Sequence, residues 1–171
     1  MKKLLGAAAI LLGCIWAALS RVRAGRARER RLLSMRDALT ELGRELAARR
    51  CGMKDLFRRL ADLNEGKNAG AFFQSLCDEM VTLGEKCFSE IWRAAVADKL
   101  GALGEEAAQT LCALGECLGG SELALQCEAL DRAAREMERL ARNEREAMPD
   151  RRRMSDGLSL AAGALLVIML I

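Results

Sequence analysis

Residues 122–148 read ELALQCEALDRAAREMERLARNEREAM, and a helix is the regular structure that gathers this pattern onto one side. Leu123, Leu130 and Met137 recur every seven positions. Gln126, Ala133, Ala134, Leu140 and Ala141 fill the same side, while arginine and glutamate occupy the rest. Gly119-Gly120 stand before it, Ser121 is a plausible N-cap, and Glu122 sits favourably in the first turn. Pro149 is expected to stop the helix, because proline has no N–H to donate and crowds the preceding turn.

Upstream the same periodicity recurs in shorter pieces. Leu32, Met35, Leu39, Leu42 and Leu46 make a seam over Glu29 to Arg50. After the break at Cys51-Gly52 come Met53, Leu56, Phe57, Leu60 and Leu63, closed by residues 64–68. Phe72, Phe73, Leu76, Cys77, Met80 and Leu83 mark a third helix ending near Gly84, and Phe88, Ile91, Trp92, Ala95 and Val96 a fourth. Gly101 and Gly104 lead into a fifth, Glu105 to Leu118, with Ala108, Leu111, Cys112 and Leu114 on its apolar face. The expected fold is all-α: a six-helix bundle in three antiparallel hairpin-like pairs, flanked by an N-terminal and a C-terminal transmembrane helix. The stripe of Phe and Trp reads as core, not as a ligand site.

The flanking segments are apolar and bordered by arginine. Leu4 to Leu19 carries no charge and runs into Arg21, Arg23, Arg26, Arg28, Arg30 and Arg31, while Arg151, Arg152 and Arg153 precede Gly157 to Ile171. Residues 1–20 and 157–171 are expected to span a membrane, and the arginines put residues 21–156 on the cytoplasmic side. Both segments are short for a hydrocarbon core of about 30 Å, so snorkelling of the flanking cations and local thinning must help. A cleaved signal peptide competes for the first segment, though arginines directly after Ser20 disfavour it. Lipoprotein processing at Cys14 also competes, but the apolar run continues past that cysteine. A buried core helix competes for the second segment, where a tail anchor fits better.

Composition narrows the chemistry. The sequence holds one proline, no tyrosine and no histidine, and its net charge of +3 hides basic residues gathered at the membrane-proximal ends. That distribution suits an anionic lipid surface better than a nucleic-acid stripe. Without histidine there is no Ser-His or Cys-His pair and no common zinc set beyond an all-cysteine one. No catalytic, cofactor-binding or metal-binding residue is assigned, and no phosphate-binding glycine motif occurs. Seven cysteines lie at 14, 51, 77, 87, 112, 117 and 127. Cys77, Cys87 and Cys112 fall on apolar positions and read as reduced core thiols.

Several residues resemble a known family. Met1-Lys2-Lys3-Leu4-Leu5-Gly6-Ala7, the arginine-rich exit, Trp92, the stretch Leu114-Gly115-Glu116-Cys117-Leu118-Gly119-Gly120-Ser121 with Gln126 five residues on, and the final apolar segment are similar to stage III sporulation protein AB. Gly120 and Glu122 around the serine, and the cysteine content, depart from its pattern. The resemblance implies a non-enzymatic subunit of the channel complex joining mother cell and forespore in endospore formation, in the mother-cell membrane facing the forespore. It further implies a soluble part like the type II secretion F domain. The sporulation ATPase encoded alongside, other channel subunits and further copies of the chain are the implied partners, with no nucleic acid and no small-molecule substrate. Leu114, Gly115, Leu118, Gly119, Gly120, Ser121 and Gln126 become the candidate partner interface, although Gly119-Gly120 also suit a simple C-cap. Two rivals stay open: a membrane-tethered redox sensor using Cys112, Cys117 or Cys127, and an enzyme using Glu105-Glu106 or Asp78-Glu79. A general membrane scaffold is the blander alternative.

Overall fold

The computed structural model describes residues 2–48, 52–82, 86–120 and 122–170, with side chains from residue 23 to 147 and at a few positions before that. Among these residues there are six α-helices: α1 (Lys2–Ala48), α2 (Met53–Leu63), α3 (Asn68–Glu79), α4 (Phe88–Lys99), α5 (Glu105–Leu118) and α6 (Leu123–Leu170). Single 3-10 turns follow α3 at Met80–Thr82 and α4 at Gly101–Leu103. The all-α expectation holds.

Three boundaries differ from those read in the sequence. The third helix, expected to close near Gly84, ends as α3 at Glu79 and passes into the 3-10 turn, with Leu83 and Gly84 outside the described residues. The helix expected from Glu29 is the second half of α1, which continues through the arginines from Lys2. Nothing between Ser20 and Glu29 breaks it, since arginine and alanine are strong helix formers and Gly25 alone costs only about 1 kcal/mol. The stop expected at Pro149 is likewise absent, because α6 runs on to Leu170. A proline deletes one ladder bond and crowds one carbonyl, a finite cost of about 3 kcal/mol within a 48-residue helix. The expected spans fall at residues 1–20 and 157–171, whose side chains, Trp16 and Ser20 apart, lie outside the described residues. Among the described residues no helix is long and apolar enough to cross a membrane.

The chain divides into two compact units, residues 30–141 and residues 1–29 with 142–171. In the first unit the seam of α1 is buried at Leu32, Met35, Leu39 and Leu42, and that of α6 at Leu130, Ala133, Ala134, Met137, Leu140 and Ala141. The two helices face each other and run antiparallel. Arg36 lies 3.8 Å from Glu138, and a Cβ built on Gly43 would touch Leu130 at 3.8 Å, so numbers rise on α1 as they fall on α6. Between them in sequence, α2 packs on α3, α3 on α4, and α4 on α5. The expected neighbours are in contact: Arg59 of α2 reaches Glu45 of α1 at 3.1 Å, α3 packs on α4, and Arg139 of α6 pairs with Glu106 of α5, while α2–α3 and α4–α5 also pack.

Five of the six aromatic residues meet in this core. Trp92 is edge-on to Phe72 at 5.0 Å and lies 5.8 Å from Phe88 and 6.3 Å from Phe57, while Phe57 stacks on Phe73. Phe57, Phe72, Phe73 and Trp92 are wholly buried, which makes the aromatic stripe core as expected. In the second unit, Arg28 of α1 pairs with Glu144 of α6.

Gly104 makes the turn into α5. Its φ of 95° and ψ of 164° lie in a region that side-chain-bearing residues rarely adopt. Gly104→Ala is expected to cost about 1–3 kcal/mol, read as a lower thermal midpoint.

Candidate functional site

The stretch from Leu114 to Gln126 covers the last turn of α5, the connection, and the first turn of α6. Leu114 and Leu118 are buried in the core and support this surface from beneath. Gly115 is buried too, and its missing side chain is filled by Trp92. A Cβ there would come within 2.6 Å of the indole Cγ and closer still to Cδ1. The same close approach lets the Trp92 indole N–H donate to the Leu111 carbonyl at 2.7 Å. That carbonyl lies one turn before Gly115 and keeps a second lone pair that no Cβ covers. The pairing of Trp92 with Gly115 therefore locks α4 onto α5.

Gln126 also has an internal role. Its side-chain N–H donates to the Leu118 carbonyl at 3.1 Å, satisfying one of the acceptors left over at the end of α5. Sequence reading singled out the glutamine without finding this use, since the bond crosses a turn whose geometry one sequence does not give. Ser121 lies outside the described residues.

Gly119 and Gly120 stand at the end of α5, where a cap was expected. Gly119 is the C-cap, but its φ of −79° is right-handed helical, and neither glycine takes the left-handed conformation of a glycine cap. A Cβ on Gly119 would make ordinary contacts at 3.6 Å, and one on Gly120 would meet nothing within 4 Å. Both are exposed. Gly119→Ala and Gly120→Ala should accordingly shift stability by no more than about 0.5 kcal/mol. A calorimetric midpoint that falls by several degrees in either variant would show an internal constraint that the geometry lacks.

The surroundings are charged and held by ion pairs between helices. Arg93 of α4 reaches Glu116 of α5 at 2.8 Å, and Arg139 of α6 bonds both Glu136 and Glu106 of α5. The Arg139 hydrogen bond holds the Glu136 carboxyl below the usual carboxylate range. Lys99 lies 2.7 Å from Asp98, and its hydrogen bond to that carboxylate raises the ammonium pKa. Apart from the half-buried Glu136 these groups are exposed, so they orient surfaces more than they stabilise them. Glu105 and Glu106, the pair considered for acid–base work, are both exposed, with Glu106 engaged by Arg139 and Glu105 accepting from Gln109 at 3.3 Å. Asp78 accepts from Gln74 at 3.0 Å. Neither pair converges on one point. Among the described residues no group of three or more His, Cys, Asp or Glu could hold a metal ion.

The cysteines take three kinds of place. Cys77 is buried against α2, its thiol directed at the Lys54 carbonyl at 3.7 Å, and burial pushes its pKa up. Cys112, Cys117 and Cys127 are half-buried, with Cys112 packed on the core. Cys87 corrects the sequence reading. It is exposed as the N-cap of α4, where its backbone N–H donates to Glu90 at 3.0 Å, and so is not a core thiol. Cys87 is expected to label fastest among these five and Cys77 slowest. A thiol at 112, 117 or 127 reacting faster than free cysteine at neutral pH would revive the redox-sensor reading.

Of the basic residues at the chain's flanks, Arg23 and Arg26 are exposed and Arg28 is half-buried on Glu144. The side chains of Arg21, Arg151, Arg152 and Arg153 lie outside the described residues.

Neither the curated proteins nor the solved structures compared with this chain give a match. A family model does. The model of stage III sporulation protein AB matches residues 3–171, from the first apolar segment through the bundle to the last, and the chain belongs to that family.

Proposed function

We propose that the protein is a non-enzymatic structural subunit of the mother cell–forespore channel complex, anchored by both ends in the mother-cell membrane, with its bundle in the cytoplasm facing the sporulation ATPase. Membership of the family gives the stage III sporulation role. The observation that carries the rest is the continuity of α1 and α6. Each leaves the bundle unbroken, passes through an arginine-rich stretch and enters an apolar segment, so bundle and anchors are joined by helix and not by loose linker. A helix transmits displacement along its axis where a flexible tether would absorb it. A subunit built this way couples a cytoplasmic motor to a membrane assembly through surfaces, with Gly119 and Gly120 as the exposed part of the candidate interface.

Anchoring is tested by epitope tags at each end and protease added to the cytoplasmic face of sealed vesicles. Cleavage within residues 21–156 with both tags protected is the expected pattern, and a digestible tag would contradict double anchoring. Changing Arg151, Arg152 and Arg153 to glutamate should expose the C-terminal tag in a large fraction of molecules, because those cations hold their side of the segment in place.

A further inference from the structure

The arginine-rich stretches of α1 and α6, we propose, form one collar that selects anionic phospholipid headgroups, an inference that rests on the membrane-anchored reading. Residues 20–31 hold six arginines and one acid, Glu29. Residues 142–153 hold five arginines and three acids, Glu144, Glu146 and Asp150, so the two stretches together carry +7. Residues 32–141 hold 14 basic and 19 acidic residues, a net of −5. The chain's total of +3 conceals this segregation. Positive charge is concentrated on the two helical stretches beside the apolar segments and is withdrawn from the bundle.

Where side chains are described, the structure joins the two stretches. Arg28 and Glu144 pair α1 with α6, and Glu144 is only 8% exposed, so one of the four acids is turned inward against its partner helix. Arg23 and Arg26, three apart on α1, and Arg142 and Arg145, three apart on α6, are exposed, beside one exposed acid, Glu146. Trp16 stands two turns before Arg23 and is 73% exposed, apart from the aromatic core. An indole at the edge of an apolar segment followed by guanidinium groups is the order in which a chain meets acyl chains, the interface and headgroup phosphates. Guanidinium binds phosphate oxygens in pairs, and several such groups held on joined helices share one leaflet's negative charge. A nucleic acid offers phosphate as well, but not the apolar layer that both helices enter directly beyond the arginines.

The test uses the full-length protein in vesicles of equal parts phosphatidylcholine and phosphatidylglycerol, with bromine on the acyl chains of one lipid or the other. Bromine quenches Trp16, while the wholly buried Trp92 supplies a constant background. Brominated phosphatidylglycerol is expected to quench about twofold more than brominated phosphatidylcholine, since each arginine near the surface favours anionic lipid. The preference should vanish in about 1 M salt, where screening acts within roughly 3 Å. It should also vanish when Arg23, Arg26, Arg142 and Arg145 are all changed to glutamine. Equal quenching by the two lipids, or a preference that survives those four changes, overturns the collar and leaves anchoring intact. Folded protein quenched by neither lipid overturns the anchored reading itself. Equal quenching with retention on RNA would overturn the collar and assign the arginines to nucleic acid.

Discussion

Gly115→Val is expected to unfold the bundle or lower its thermal midpoint by roughly 10 °C, the shift that about 3 kcal/mol produces in a chain of this size. The reason is steric. The space a Cβ needs is occupied by the Trp92 indole, which is wholly buried, edge-on to Phe72 and bonded to the Leu111 carbonyl, so the ring cannot swing aside without losing all three. Domains are stable by only about 5–15 kcal/mol, so the loss is a large share of the total. The partner variant locates the cause. Trp92→Phe removes the pyrrole edge and its hydrogen bond at a cost of its own, but it should soften the effect of Gly115→Ala, giving a double variant more stable than the sum of the single losses. Strict additivity would mean that the two positions are not in contact.

Leu114→Asp and Leu118→Asp should be equally damaging. Both side chains are within 4% of complete burial, Leu118 next to the α5 terminus that Gln126 closes and Leu114 one turn earlier. Burying an unpaired carboxylate costs about 3–5 kcal/mol, on top of the lost apolar contact. Leu118→Ala, which leaves only a cavity, should cost about 2–4 kcal/mol and keep a cooperative transition. Melting curves unchanged by both aspartate substitutions would refute the packing of α5 described above. Against these, the near-neutral Gly119→Ala and Gly120→Ala separate folding from any role in contact, because they alter the exposed turn and nothing beneath it.

Much of this architecture is written in one-dimensional periodicity. The seams of α1 and α6 could be read directly, because a residue buried on a long helix announces itself every three or four positions. The aromatic core was legible for the same reason. The antiparallel approach of α1 and α6 was not, since it brings together surfaces more than 80 positions apart. Pro149 misled by being a strong local signal overruled by its neighbours. Cys87 misled because an apolar-looking position just before Phe88 is a cap and not the first buried residue of α4. The conspicuous stretch from Leu114 to Gln126 holds residues of two kinds. Leu114, Gly115, Leu118 and Gln126 serve the fold, and among the described residues of that set the exposed Gly119 and Gly120 lack an internal use. Trp92 and Gly115 could not be paired from sequence, as a glycine reports the space it leaves and not what fills it.

The most direct test of the platform account is titration of the sporulation ATPase encoded alongside onto the full-length protein held in lipid nanodiscs, wild type beside Gly119→Arg and Gly120→Arg. The account predicts saturable binding to the wild type and at least about tenfold weaker binding to the variants, with thermal midpoints unchanged because both positions are open to solvent. A folded wild type that does not bind, or variants that bind equally well, would contradict the placement of the ATPase on this turn.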